Sequence, residues 1–138
     1  VAVLDVAHNA ASTAALVRTL EELTLPPRRT LVLAISRDKD ARAILTNLLP
    51  HFSRIITTRF QGNPRGRPAE ELAALAVELG GAAGPPVECA ATPLEAWRRA
   101  TTGWGEHDLV CVAGSLFLAA ELRRQIAADL PAPALAPC

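Results

Sequence analysis

The sequence predicts an α/β domain in three layers, with a mostly parallel sheet between helices. Strand-like and helix-like stretches alternate along the whole chain, which is the pattern of strands joined by helical crossovers. The runs Thr30-Leu31-Val32-Leu33-Ala34-Ile35 and Leu109-Val110-Cys111-Val112-Ala113 are apolar without alternation, as expected of strands buried on both faces. Polar residues that cap helices gather in the turns that leave these strands.

In order, residues 1–4 read as a strand and residues 12–23 as a helix, with Leu16, Val17, Leu20 and Leu23 on one face; Pro26 and Pro27 end it. Residues 30–35 form the next strand. Ser36-Arg37-Asp38-Lys39-Asp40 is a charged turn, and Asp40 is placed to cap a helix over residues 41–49. Residues 54–58 make a third strand. A longer loop, residues 59–67, is rich in Gly, Pro and Arg. Pro68 is expected at the first helical position, ahead of a stripe of Leu72, Leu75, Ala76 and Leu79. After Gly80-Gly81 and Pro85-Pro86, residues 87–90 read as a short strand. Thr92-Pro93-Leu94-Glu95 fits a capping box whose helix continues to Ala100. Residues 108–113 make a fifth strand, Gly114-Ser115 a turn, and Leu118, Ala119, Leu122 and Ile126 the buried side of a last helix. The whole is a Rossmann-like domain with about five or six strands. Residues 1–128 form the domain and residues 129–138, with three prolines, a loose tail.

The 138 residues suit one domain, long enough to bury a core without staples. Fourteen basic and 14 acidic residues cancel, so global charge argues against nucleic acid or an anionic membrane as a partner. No apolar run is long enough to span a bilayer. Cys89, Cys111 and Cys138 are widely spaced, without metal-ligand spacing. Cys89 and Cys111 sit in strand-like surroundings that suggest buried free thiols and a cytoplasmic setting. The chain opens within a strand pattern and holds no methionine, so it is expected to be part of a longer polypeptide.

Chemistry is expected at the carboxyl ends of the strands, where ligands of open α/β sheets bind. Three turns there carry functional groups: Asp5, His8 and Asn9; Ser36 to Asp40; and Gly114-Ser115. A parallel sheet brings them to one edge. Asp5 can accept from ribose or amine donors, Lys39 can pair with a carboxylate or phosphate, and Ser115 stands at a helix start that favours anions. Capping by Asp5, Asn9, Asp40 and Ser115, with His8 and Lys39 as surface residues, accounts for the same residues. His51 and His107 have no evident partners. The loop of residues 59–67 lacks interleaved aromatics apart from Phe60, and reads as solvated rather than as a nucleic-acid site. There is no G-x-x-x-x-G-K-[ST] phosphate loop, no G-x-G-x-x-G and no G-x-S-x-G elbow. No residue is therefore assigned as catalytic, and none as a metal ligand.

Four collinear blocks resemble folylpolyglutamate synthase/dihydrofolate synthase, a branch of the Mur ligase family. Leu4-Asp5-Val6-Ala7-His8-Asn9 resembles its L-D-x-A-H-N-P segment. Ala34-Ile35-Ser36-Arg37-Asp38-Lys39-Asp40 is similar to its D-K-D turn. Asn63-Pro64-Arg65, Pro68 and Glu70-Glu71-Leu72 resemble N-P-R-x-x-P-x-E-x-L. Asp108-Leu109-Val110 through Gly114-Ser115-Leu116-Phe117-Leu118 resembles D-x-V-L-V-x-G-S-L-Y-L. Ala10 replaces the usual Pro, and Phe117 a common Tyr.

The resemblance implies the carboxy-terminal, glutamate ligase domain of an ATP-dependent enzyme. Such an enzyme phosphorylates the carboxylate of folate or dihydropteroate, and the amino group of L-glutamate attacks the acyl phosphate. An upstream ATPase domain of the same chain would hold the phosphate loop and the Mg2+ ligands, so this domain alone is expected to be inactive. By the same resemblance Asp5, His8 and Asn9 fall in an ATP-binding motif, and Lys39 and Ser115 in turns that face the incoming glutamate. The matching domain of a peptidoglycan-type Mur ligase is a second reading. A stand-alone nucleotide- or anion-binding module without catalysis is a third.

Overall fold

The computed structural model describes residues 1–130. Its sheet has five strands, all parallel, in the order β1-β5-β2-β3-β4. The strands are β1 (Ala2–Leu4), β2 (Arg28–Leu33), β3 (Arg54–Thr57), β4 (Val87–Cys89) and β5 (Asp108–Ala113). The helices are α1 (Ala10–Glu22), α2 (Ala41–Leu48), α3 (Ala69–Gly80), α4 (Pro93–Thr101) and α5 (Leu116–Asp129). Thus α5 runs to Asp129, the first residue of the expected loose tail, and Leu130 follows as its C-cap; residues 131–138 of that tail lie outside the described residues.

The chain moves in one direction from β1 to β2, β3 and β4, and α1, α2 and α3 cover one face. It then turns back to place β5 between β1 and β2, and α4 and α5 cover the other face. Right-handed crossovers in opposite directions require opposite faces. Side chains alternate accordingly along the central strands. Leu31, Leu33, Leu109, Cys111 and Ala113 pack with Leu16, Leu20, Ile44, Leu45, Leu48 and Leu72. Val32, Ile56, Val110 and Val112 pack with Ala96, Trp97, Leu118, Leu122 and Ile126. The unbroken apolar runs of β2 and β5 thus reflect burial on both faces. Trp97, the bulkiest buried side chain, satisfies its indole N–H by donating to Asp129 Oδ2 at 2.7 Å. Trp104 meets its ring edge-on at 5.9 Å.

Several boundaries differ from the sequence expectation. Helix α1 begins at Ala10, because Asn9 caps it: Asn9 Oδ1 accepts from the Ser12 N–H, and the Ser12 hydroxyl accepts from the Asn9 N–H. Ala10 therefore stands at the first helical position, where the absent N–H of a Pro costs nothing. Pro68 is the residue before α3 rather than its first residue. Its ψ of 135° is extended, while its carbonyl accepts from the Leu72 N–H. At α4 the Thr92 hydroxyl caps the Glu95 N–H, but the Glu95 carboxylate reaches past Thr92 to the Ala91 N–H, so the expected box is only half formed. Cys89 is half-buried rather than buried, since β4 is an edge strand. Cys111 is buried as expected.

Candidate functional site

The strand order makes β1, β5 and β2 neighbours, so the three functional turns lie side by side at the carboxyl edge of the sheet. The chain reverses direction here, and the helices leaving β5 and β2 go to opposite faces, which opens a crevice at the strand ends. Two close contacts lock the turns together. The Gly114 N–H donates to the Ala7 carbonyl at 2.8 Å, joining the turn after β5 to the turn after β1. Gly114 also presses against β2: its φ is +103°, and a Cβ there would lie 2.4 Å from the Ala34 carbonyl oxygen. Glycine is required on both counts.

Asp5 is half-buried and does not cap α1. Its Oδ1 accepts from the Ala7 N–H at 2.6 Å, a bond that folds the turn back on itself. Its other carboxylate oxygen makes no hydrogen bond among the described residues. His8 is exposed, with Nδ1 2.8 Å from the Val6 carbonyl. A carbonyl only accepts, so the proton is on Nδ1, and in the neutral ring Nε2 is an outward-facing acceptor. Asn9 is exposed, and its Oδ1 is committed to the cap, bonded to both Ser12 N–H and Ser12 Oγ. For Asn9 the capping role is the one the geometry displays.

Lys39 is partly buried, with Nζ 3.7 Å from Asp38 Oδ2. A pair so exposed is worth at most about 1 kcal/mol and leaves the ammonium free to meet a carboxylate. Asp40 caps α2 through the Ala43 N–H. Ser115 caps α5, accepting from the Phe117 N–H at 3.1 Å, and is 3% exposed. Its hydroxyl hydrogen remains available as a donor, but from just beneath the surface. Burial pushes the Cys111 thiol up to about 12, and the nearby Asp5 carboxylate adds to the rise. A thiol so held is not a nucleophile at neutral pH.

The loop of residues 59–67 is not a free solvated segment. Ser36 and Gly66 form an antiparallel bridge. The Arg37 N–H donates to the Arg65 carbonyl, and the Arg67 N–H to the Ile35 carbonyl. The loop walls a cleft of about 420 Å³ between Arg59, Phe60, Asn63, Pro68, Ala69 and Ala91, beyond β3 and β4. None of Asp5, His8, Asn9, Lys39 and Ser115 lines it. Sequence reasoning assigned the loop no role, although Asn63-Pro64-Arg65 was one of the matching blocks. Among the described residues, no group of three or more His, Cys, Asp or Glu is placed to hold a metal ion. Among them, too, no helix is long and apolar enough to cross a membrane.

The profile of the family described as Mur ligase, glutamate ligase domain, matches residues 1–116. The chain belongs to that family. Solved structures agree with the glutamate ligase domain in fold. Escherichia coli FolC in complex with ADP, without folate substrate, aligns with TM-score 0.79 and 27% identity over 92% of this chain and 29% of that one. Mycobacterium tuberculosis folylpolyglutamate synthase complexed with ADP aligns with TM-score 0.76 and 28% identity, over 92% of this chain and 30% of the other. Folylpolyglutamate synthase from Thermotoga maritima gives TM-score 0.73 and 31% identity, over 94% and 28%. The domain thus spans less than a third of each of these proteins. A Yersinia pestis folylpolyglutamate synthase/dihydrofolate synthase, also similar, was solved with AMPPNP and a Mn ion. Comparison with curated protein sequences finds no match.

Proposed function

We propose that this domain, residues 1–128, serves as the carboxy-terminal part of an ATP-dependent ligase that adds L-glutamate to folate or dihydropteroate. The observation that carries the reading is the alignment of the turns after β1, β5 and β2 on one sheet edge, in a chain of this family. In the proposed site, the unpartnered oxygen of Asp5 and Nε2 of His8 face ATP, as hydrogen-bond partners for its ribose or base. Asn9 fixes the helix start beside them. Lys39 supplies a point charge to one carboxylate of glutamate, and Ser115 a hydroxyl donor at a helix N-terminus. These groups bind and orient; none of them activates the acyl phosphate. The donors described here do not form a Mg2+ site, so the metal ligands and the phosphate loop are assigned to an upstream domain of the same polypeptide. Such an enzyme would be cytoplasmic.

The test is turnover. The full-length polypeptide, given ATP, Mg2+, dihydropteroate or tetrahydrofolate, and L-glutamate, is expected to release ADP and phosphate in step with amide formation. The isolated chain is expected to release none. Turnover by the isolated chain, or ligation of another amino acid in place of glutamate, overturns the reading. Selective use of a muramyl-peptide acceptor would instead favour the peptidoglycan branch.

A further inference from the structure

We propose that Glu121, on α5, is a positioning residue for the amino-acid end of this site, acting through the backbone of residues 59–67. The inference rests on the reading above, in which Lys39 and Ser115 meet glutamate. Those two residues sit on different turns, and something must hold the turns at a fixed separation beyond the ends of β2 and β5. The loop does so by gripping both.

On the β2 side, the turn of residues 37–39 makes long-range hydrogen bonds to this loop alone among the described residues. The Arg37 N–H donates to the Arg65 carbonyl at 2.8 Å. Arg67 Nη2 donates to the carbonyls of Arg37 and Lys39, both at 3.0 Å. On the β5 side, the loop is held to α5 at two points. Glu121 Oε1 accepts from the Gln61 N–H at 2.6 Å and from the Gly62 N–H at 2.7 Å. Phe60, buried, packs at a tilt of 43° against Phe117, with ring centroids 5.2 Å apart. Ser115 caps the same helix. Glu121, the loop and the Lys39 turn therefore form one brace across the strand ends. Among the described residues the carboxylate is its only charged link to α5, and two charge-assisted bonds to one oxygen fix the loop's direction as well as its distance.

The experiment compares Glu121→Ala and Glu121→Gln in the full-length polypeptide. The amide of Glu121→Gln keeps an acceptor oxygen of the same reach. Hydrogen exchange is read at residues 61–67 and 37–39, and steady-state kinetics vary glutamate and ATP in turn. In Glu121→Ala, exchange should quicken in both segments. KM for glutamate should rise on the order of tenfold, the size of a lost charge-assisted bond. Its kcat and KM for ATP should stay near wild type, and Glu121→Gln, which keeps the acceptor but not the charge, should restore both readouts in large part. Unchanged exchange in Glu121→Ala overturns the proposal, whatever the enzyme ligates. Quickened exchange with an unchanged glutamate KM also overturns it, leaving Glu121 a loop anchor only. A wild-type enzyme that does not use glutamate brings down the underlying reading and the proposal with it. The exchange data separate that failure from the others, because the brace would still loosen.

Discussion

Arg28 and Asp108 at the amino end of the sheet differ in their pairing from Asp5 and Lys39 at its carboxyl end. Arg28 meets Asp108 through two nitrogens, at 2.9 and 3.1 Å. Nearby, Arg54 Nε donates to Glu88 at 2.6 Å, and Ser53 exchanges hydrogen bonds with the backbone of Arg29. Charge there answers charge across neighbouring strands. At the carboxyl end, the Asp5 carboxylate is bonded only within its own turn, and the Lys39 ammonium meets only the side chain of Asp38 next to it. Charged side chains without long-range partners, gathered on one edge over a glycine at positive φ, are left free to meet a ligand. The lesson is that a charged residue's value as a site marker depends on what already satisfies it.

The largest effect should come from the glycine that packs the carboxyl edge together. Gly114→Ala forces a Cβ against the Ala34 carbonyl at a φ of +103°, and should cost about 3 kcal/mol or more. Gly103, also at positive φ but facing open space, is the control; its alanine variant should cost only about 1 kcal/mol. Urea unfolding of both variants in the full-length polypeptide checks this. Equal losses would remove the claim that close approach at the edge, rather than φ alone, demands Gly114.

Asp5→Ala comes next. It should raise KM for ATP on the order of tenfold through a lost charge-assisted hydrogen bond, with folding retained. Arg28→Ala, at the other end, should leave every KM unchanged and cost about 1 kcal/mol of stability or less, as exposed pairs do. Kinetic damage from Arg28→Ala equal to that from Asp5→Ala would erase the contrast between the ends.

Lys39→Ala should raise KM for glutamate about fivefold, the worth of one solvent-exposed charge contact, and leave KM for ATP alone. Steady-state kinetics with each substrate varied in turn would show it. Equal harm to both substrates would mean that the turn, rather than its charge, matters.

The smallest effect concerns Asp129. Hydrogen bonds from the Trp97 indole and then the Gln125 amide hold its carboxyl below the ordinary 3.8. A carboxylate lowered in this way adds stability that is full above its unfolded pKa and is lost as pH falls through the lower, folded one. Asp129→Asn should cost about 0.5 kcal/mol or less at neutral pH, and the difference from wild type should shrink as pH falls below 3.8 and vanish only below the lower, folded pKa. Thermal melts across that range would measure it.

The layers, the parallel sheet and the buried strands were legible because β2 and β5 carry apolar runs that only a doubly covered strand needs. The edge that gathers the polar turns was legible too, since helix caps and charges cluster after strands. Strand order was not, because β5 enters between β1 and β2 through contacts far apart in sequence. The bracing of residues 59–67 was equally hidden. Its bonds run from backbone atoms to Arg37, Arg67 and Glu121, and no local pattern of side chains announces them. Asn9 shows the reverse limit: one residue type fits a cap and a ligand motif alike, and the bonded Oδ1 displays the cap alone.

The claim at the centre is that ligands meet this domain at the carboxyl edge of β1, β5 and β2. Hydrogen exchange of the full-length polypeptide with and without ADP measures this most directly. Protection is expected in residues 5–9, with none at Arg28, Ser53 or Asp108. Protection at the amino end of the sheet, or no change at residues 5–9 under saturating ADP, would contradict the account.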